Sequence, residues 1–261
     1  MKMPVLFVGH GSPMNALMQN PFTGTLGALG KNLPRPKAIL MISAHWETQG
    51  TQILNHANPP TIHDFYGFPK PLFEVEYPAK GAPELAAETL KLLPNASLSE
   101  KWGYDHGTWS VLVHMYPDAD IPVYQLSIDM TKTPEEHLAL GRMLQPLRDQ
   151  GVMIVGSGNI VHNLRLIDWR NPQSAYDWAK EFDADIKNAL EQRDSESLTH
   201  FESKFGAAAE KSVPTPEHYY PLLYCFGASD ESDKLRFPYE GFEMGSLSMR
   251  NALWEYTTPE N

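Results

Sequence analysis

The chain has 261 residues, with 21 basic and 32 acidic side chains and a formal net charge of −11 at pH 7. This length suits one large domain with a full hydrophobic core. The negative charge argues against nucleic acid or an anionic membrane surface as a partner, because it repels their phosphate groups.

The lone cysteine, Cys225, excludes an intramolecular disulfide and a thiolate metal cluster, which is typical of a reducing compartment. The first apolar run is too short for a signal-peptide core, and no run approaches the length that spans a bilayer. We therefore expect a cytoplasmic protein that binds neither nucleic acid nor membranes.

Short runs rich in Val, Ile and Leu predict buried β-strands, at residues 5–9, 38–44, 123–128 and 152–158. Helical patterns lie between or after them, at residues 83–93, 134–150 and 174–192. Strands that alternate with helices predict an α/β fold with a central, mostly parallel sheet and helices on both faces. No repeat or change in composition marks a boundary, so we expect a single domain.

Histidines follow three of the predicted strands. His10 comes directly after the first strand, His45 directly after the second, and His162 four residues after the fourth. Neighbouring parallel strands share one carboxyl edge, and ligands bind in the crevice outside that edge. If these strands are neighbours, the three imidazoles converge. His218, before a predicted helix, and His106, in an aromatic loop, are further candidates.

One histidine in a glycine-rich turn is more often a surface residue than a ligand, but the joint placement favours a metal site. Imidazole is the commonest metal ligand in proteins, and a nitrogen site without cysteine suits Zn(II) or non-haem Fe(II). The sequence has no H-E-x-x-H or C-x-x-C motif, so spacing alone leaves the metal site open. No G-x-S-x-G elbow occurs either, which makes Ser157 a weak candidate for a hydrolase nucleophile.

Two further positions are candidates for substrate binding. Asp105 precedes His106, and a carboxylate can orient a histidine for acid–base work, although adjacent side chains need not touch. His63 lies in the proline- and aromatic-rich segment 58–71, which is typical of a binding loop. His137 lies on a polar helical stretch, where we expect a solvated face.

Seven blocks of sequence carry a family resemblance: "GHGSPMNAL", "SAHWET", "PPTIHDFYGFP", "WGYDHGTW", "PDADIPVYQLSID", "GSGNIVHNLR" and "PTPEHYYPLLY". Together they resemble the class III extradiol ring-cleavage dioxygenases, the LigB-like family, and within it the 4,5-DOPA extradiol dioxygenase-like branch. The match runs from residue 3 to about residue 249. It implies a single catalytic α/β domain over residues 1–261 that opens a catechol ring, such as that of DOPA, beside one hydroxyl with Fe(II) and O2.

The resemblance also implies the ligands of the metal. It carries the family's metal positions onto His10 and His45. Better-known members use a carboxylate as third ligand, whereas the matching block here offers Glu217 and His218 side by side, and this branch uses His218. His162 matches the acid–base histidine and is also expected close enough to ligate the metal.

The catalytic and substrate-binding residues follow from the same resemblance. His106 matches a second acid–base or substrate-orienting histidine, so His106 and His162 are expected to be catalytic, with His63 and Asp105 binding the substrate. Fe(II) is expected for activity. Zn(II) is the expected alternative occupant, because zinc lies above ferrous iron in the affinity order for nitrogen sites.

Two other functions compete with this interpretation. Histidines around Zn(II) can activate water for hydrolysis of a small ester or amide. A relative that has lost its metal ligands can keep the fold as an interaction module. The presence of His10, His45, His162 and His218 argues against the second alternative.

Overall fold

A computed structural model describes residues 2–256 of the chain. The strands in chain order are β1 Val5–Gly9, β2 Ala38–Thr48, β3 Gln52–Leu54, β4 Ser97–Ser99, β5 Val123–Asp129, β6 Val152–Gly158, β7 Asp233–Arg236, β8 Phe242–Glu243, β9 Leu247–Ser248 and β10 Asn251–Tyr256. The helices are α1 Pro21–Asn32, α2 Lys70–Phe73, α3 Pro83–Leu92, α4 His106–Met115, α5 Pro134–Met143, α6 Gln145–Asp149, α7 Asp177–Glu191, α8 Ser195–Thr199, α9 Phe201–Ser212 and α10 Tyr220–Ala228.

Eight strands form one sheet, in the order β4-β3-β5-β2-β6-β1-β10-β7. The central strands β5, β2, β6 and β1 are parallel to one another. Antiparallel β10 and β7 extend the sheet beyond β1, and short β3 and β4 close the other side. The fold is a single α/β domain with a mostly parallel sheet, as the alternation of strands and helices predicts.

Both faces of the sheet are covered, which explains why β1, β5 and β6 are buried along their whole length. Along β1, Val5 and Phe7 pack in a core with α5, α7 and α10, whereas Leu6 and Val8 pack in a second core with α1 and α4. Successive side chains of a strand point to opposite faces, so a strand with helices on both sides buries every residue.

Five of the seven predicted elements differ from the observed ones, two of them by one residue: β5 ends at Asp129 and α3 at Leu92. β2 continues to Thr48 rather than ending at residue 44, because it pairs with β5 again beyond a bulge, at Glu47 and Thr48. The helix predicted over 134–150 is two helices that break at Leu144, where Pro146 cannot continue the hydrogen-bond ladder. The predicted helix 174–192 begins at Asp177 and ends at Glu191.

His137 also differs from expectation. It is fully buried between α5 and α10, where its Nδ1 lies 2.9 Å from the hydroxyl of Tyr224 and its ring packs on Tyr220. Its polar neighbours in sequence belong to the exposed side of the same helix. No helix in the described part of the chain is long and apolar enough to cross a membrane.

Candidate metal centre

Five histidines meet at the carboxyl edge of the central strands. They are His10 directly after β1, His45 inside β2, His106 at the start of α4, His162 after β6 and His218 before α10. The ring centroids of neighbouring pairs lie between 3.4 and 5.7 Å apart. The structure therefore brings together histidines that are far apart in sequence, in the crevice where an α/β sheet binds its ligands.

A serine hydroxyl fixes the tautomer of His10. Ser157 Oγ donates its only proton to the carbonyl of Gly107 at 2.6 Å. It must therefore accept from Nδ1–H of His10, which lies 2.9 Å away. This leaves Nε2 of His10 with a free lone pair, as a metal ligand requires.

One carboxylate contacts both His45 and His106. Asp64 Oδ2 lies 2.8 Å from Nδ1 of His106 and 3.4 Å from Nδ1 of His45. Its other oxygen accepts the backbone N–H of His106 at 2.8 Å. On the opposite side of the ring, Nε2 of His45 faces Nε2 of His10 at 3.2 Å.

His218 is held by its neighbour in sequence. Glu217 Oε1 lies 2.9 Å from Nδ1 of His218 and also accepts from the hydroxyl of Thr215. The ring of His218 stacks on that of His162, with centroids 3.4 Å apart and planes 6° apart. Nε2 of His218 is buried and has no hydrogen-bond partner among residues 2–256.

The electrostatics favour neutral imidazoles. Burial lowers the pKa of His10, His45 and His218 well below the usual value, and neighbouring histidines lower it further. Burial, with a smaller effect of His106, lowers the pKa of His162 to about 4. At neutral pH these rings therefore keep a free lone pair.

This arrangement fits a metal ion. His10, His45 and His106 each offer a nitrogen within 4.8 Å of the others, and His162, Glu217 and His218 form a second such group. Two nitrogens bound tetrahedrally to one zinc ion at about 2.0–2.1 Å lie about 3.3 Å apart, close to the 3.2 Å between Nε2 of His10 and of His45. A bound cation also explains why Nε2 of His218 is buried without a hydrogen-bond partner among the described residues.

The side chain of Asp105 makes no hydrogen bond to the rings of the five histidines. It caps the N-terminus of α4, is fully buried, and its pKa is raised by burial and by the charge of Asp64. Its four hydrogen-bond donors are Ser43 Oγ, Trp102 Nε1, Gln125 Nε2 and the backbone N–H of Thr108. A carboxylate has about four acceptor sites, so direct substrate contact by Asp105 is not supported.

His63 lies in an aromatic cluster beside the histidines. Its Nε2 donates to the carbonyl of Val75 at 3.0 Å, and its ring packs on Phe65, Phe73 and Trp109. Phe65 in turn meets the ring of His106 edge-on, with centroids 5.6 Å apart. The ring of Phe65 thus lies between His63 and His106 of the histidine centre.

Asp64 and Ser157 are the positions that the sequence analysis missed. The carboxylate partner of His106 is Asp64, 42 residues earlier, and not the adjacent Asp105. Its position beside His63 in an aromatic loop was the available signal. Ser157, considered as a weak nucleophile candidate, is instead the acceptor for His10.

Known proteins share this chain's sequence and fold. A family model described as the catalytic LigB subunit of aromatic ring-opening dioxygenase matches residues 5–252. The chain is 49% identical over 254 residues to a protein named 4,5-DOPA dioxygenase extradiol from Escherichia coli strain K12, covering 95% of this chain and 93% of that protein. A protein of the same name from Beta vulgaris is 37% identical over 250 residues, or 93% and 92% of the two chains.

A solved structure shows the same fold. The crystal structure of an uncharacterized protein from Escherichia coli K12 matches with a TM-score of 0.84 at 44% sequence identity. The match covers 97% of this chain and 99% of that one.

Proposed function

Since this chain belongs to the LigB family of catalytic subunits of aromatic ring-opening dioxygenases, we propose that it cleaves the ring of a DOPA-like catechol beside one hydroxyl, with O2 as co-substrate. The names of the E. coli and Beta vulgaris relatives support DOPA as the type of substrate. The proposal takes residues 1–261 as one catalytic domain that works in the cytoplasm, consistent with a lone, buried cysteine.

The observation that carries the proposal is the convergence of His10, His45 and His218: Nε2 of His10 and of His45 lie 3.2 Å apart, and the ring of His218, whose buried Nε2 lacks a partner among the described residues, lies 5.0–5.4 Å from both between centroids. An unsatisfied buried polar atom costs about 1–3 kcal/mol, and a bound cation removes that cost. We propose His10, His45 and His218 as ligands through Nε2. His162, whose ring stacks on that of His218, is either a fourth ligand or, when its lone pair is not on the metal, an acid–base group. The ion is Fe(II) in the active enzyme, with Zn(II) as the alternative occupant, because nitrogen donors suit both.

When bound, Fe(II) would supply the electron transfer to O2 that protein side chains cannot. The chain's own residues orient the catechol and move its protons. His162 has a pKa of about 4, so its ring is neutral at pH 7 and can accept a hydroxyl proton. His106 has its Nδ1 directed at Asp64, so Nε2 is its proton-accepting atom. A histidine that takes a proton from the substrate can return it to the product.

The aromatic cluster supplies the apolar side of the substrate site. Phe65 packs on Phe68, Phe73 and the ring of His106. Aromatic side chains in this position favour the binding of another aromatic ring over water. We propose that His63 contributes to substrate binding by holding this cluster through Val75, and that Asp105 contributes by fixing the first turn of α4.

Metal reconstitution tests the proposal. The purified protein is stripped of metal, reloaded anaerobically with Fe(II) or Zn(II), and mixed with L-DOPA and O2, while oxygen uptake and the yellow colour of a ring-opened product are followed. We expect uptake and colour with Fe(II) only. His162→Ala should lower turnover more than catechol affinity, whereas His200→Ala, which removes an exposed ring, should behave as wild type.

Two results would contradict the proposal. No oxygen uptake with any catechol, despite one metal ion per chain, would favour a zinc hydrolase of a small ester or amide. Failure to retain any metal would favour a non-catalytic interaction module.

A further inference from the structure

Asp64 lies in the loop between β3 and α2, and its side chain is 14% exposed. Its neighbours His63 and Phe65 point into the aromatic cluster, which holds the loop in place. In the described part of the chain, no lysine or arginine pairs with Asp64; its ion-pair partners are His45 and His106 alone. The carboxylate is therefore directed entirely at the histidine centre.

We infer that Asp64 is a positioning residue that anchors two functions at once: it fixes His45 for metal binding and His106 for proton transfer. The inference rests on the proposed function and extends it to a residue outside the ligand set. The same oxygen, Oδ2, lies 2.8 Å from Nδ1 of His106 and 3.4 Å from Nδ1 of His45.

Asp64 Oδ2 serves the two rings at different distances: it is hydrogen-bonded to Nδ1 of His106 at 2.8 Å, and it is a longer electrostatic contact of Nδ1 of His45 at 3.4 Å. An acceptor at Nδ1 holds the proton there and leaves the lone pair on Nε2. The rings of His45 and His106 are 3.8 Å apart between centroids, and the Nδ1 atom of each lies within 3.4 Å of Asp64 Oδ2. A displacement of the carboxylate would move both rings.

The other anchors of the centre serve one ring each. Ser157 Oγ contacts His10 alone, and Glu217 Oε1 contacts His218 alone among the five histidines. Asp64 also accepts the backbone N–H of His106 through Oδ1 at 2.8 Å, which ties the first residue of α4 to the loop. Among the described residues other than the five histidines, Asp64 is thus the one side chain that contacts both a proposed ligand, His45, and a proposed acid–base residue, His106.

The Asp64→Asn substitution separates positioning from simple loop anchoring. An amide has nearly the same shape but only one acceptor oxygen. If that oxygen keeps the backbone N–H of His106, the NH2 group faces both Nδ1 atoms and cannot accept from either. If the amide is reversed, the backbone N–H loses its acceptor instead.

The experiment measures two quantities on Asp64→Asn: the Zn(II) dissociation constant of the apoprotein, by competition with a chelator, and kcat and KM for L-DOPA with saturating Fe(II). We expect the dissociation constant to rise about 10–100-fold and kcat to fall about 10–100-fold, while KM changes less than about threefold. Asp64→Glu keeps the carboxylate and should recover part of both losses. Asp120→Asn, the same change at an exposed ion pair with Arg35, should leave both values within about twofold of wild type.

The two measured values decide whether Asp64 positions His45 and His106 or only anchors its loop. A folded Asp64→Asn protein with both values unchanged would make Asp64 a loop anchor only, and loss of just one value would overturn the shared role. If Asp64→Asn does not fold, Asp64→Glu decides, since a displaced carboxylate that changes neither value contradicts the inference. If the wild-type protein takes up no O2, the proposed function fails, and with it the role of Asp64 in proton transfer by His106. The zinc dissociation constant still tests whether Asp64 positions His45 for metal binding.

Discussion

The two ends of the parallel strands carry buried polar groups of opposite kinds. At the amino edge, Arg148 is fully buried and all three nitrogens of its guanidinium donate: to the carbonyls of Met3 and Ala228 and to both oxygens of Asp233. At the carboxyl edge, His10, His106 and His218 are buried with their Nδ1 atoms hydrogen-bonded, yet Nε2 of His218 has no partner in the described structure.

This contrast separates structure from function. A buried charge that is paired with an opposite charge holds elements together, and here it joins the segment before β1 to α6 and β7. A buried group held in place but left unpaired is costly unless a ligand completes it. The amino edge is therefore expected to govern stability, and the carboxyl edge to govern metal binding and turnover.

The largest expected effect is at the carboxyl edge. His218→Ala removes a proposed ligand, so turnover of L-DOPA should fall below detection, a greater loss than the 10–100-fold typical of a residue that only supports a ligand. The thermal midpoint should change little, because the variant also removes an unpaired buried atom. Calorimetry and oxygen uptake on the same preparation check both parts; turnover within tenfold of wild type would remove His218 from the site.

Arg148→Ala is the matching change at the amino edge. Removing one partner of a buried pair leaves Asp233 uncompensated and should cost about 3–5 kcal/mol of unfolding free energy. For a domain of this size that is a fall in thermal midpoint of about 6–20 °C. The zinc affinity of the folded protein should stay the same. If Arg148→Ala loses zinc binding but keeps its thermal midpoint, the assignment of stability to the amino edge and of metal binding to the carboxyl edge is wrong.

The pH dependence of stability should arise at the carboxyl edge. Burial lowers the pKa of His162 to about 4 and those of His10, His45 and His218 well below 6.5. As pH falls below about 6.5, the unfolded chain binds protons that the folded apoprotein does not, so stability is lost between about pH 6.5 and 4.

Each of these groups contributes up to about 1.4 kcal/mol per pH unit in that window. Urea unfolding of the apoprotein at pH 7.5 and at pH 5 measures the loss, and His218→Ala should reduce it. An apoprotein equally stable at both pH values would contradict the burial of neutral histidines.

The smallest effect tests the support of a single ligand. Ser157→Ala removes the acceptor of His10 Nδ1, and we expect the zinc dissociation constant to rise about tenfold. The matched control is Ser212→Ala, which removes a buried hydroxyl that has no hydrogen-bond partner in the described structure. Equal zinc affinities for the two variants would show that Ser157 does not orient His10.

The sequence was sufficient for the parts of the fold that depend on local patterns. Runs rich in Val, Ile and Leu that end in glycine predicted β1 and β6 to the residue, because strands buried on both faces are mostly apolar. The short strands β3 and β4 were not predicted, since three residues carry no period. The break at Leu144 was missed although Pro146 signals it.

The candidate site divides in the same way. Strand ends predicted that His10, His45 and His162 would approach one another, because parallel strands share an edge. Their supports depend on tertiary contacts: Asp64 reaches His106 across 42 residues, and Ser157 reaches His10 across 147. Such pairs have no local period, so only the folded chain reveals them.

A crystal of the protein soaked in Zn(II), with an anomalous difference map recorded at the zinc edge, tests the central claim most directly. We predict one ion within about 2.0–2.1 Å of Nε2 of His10, His45 and His218, with Asp64, Ser157 and Glu217 still on the Nδ1 atoms. A fully soaked crystal with no anomalous peak among these histidines, or with its peak at another group, would contradict the account.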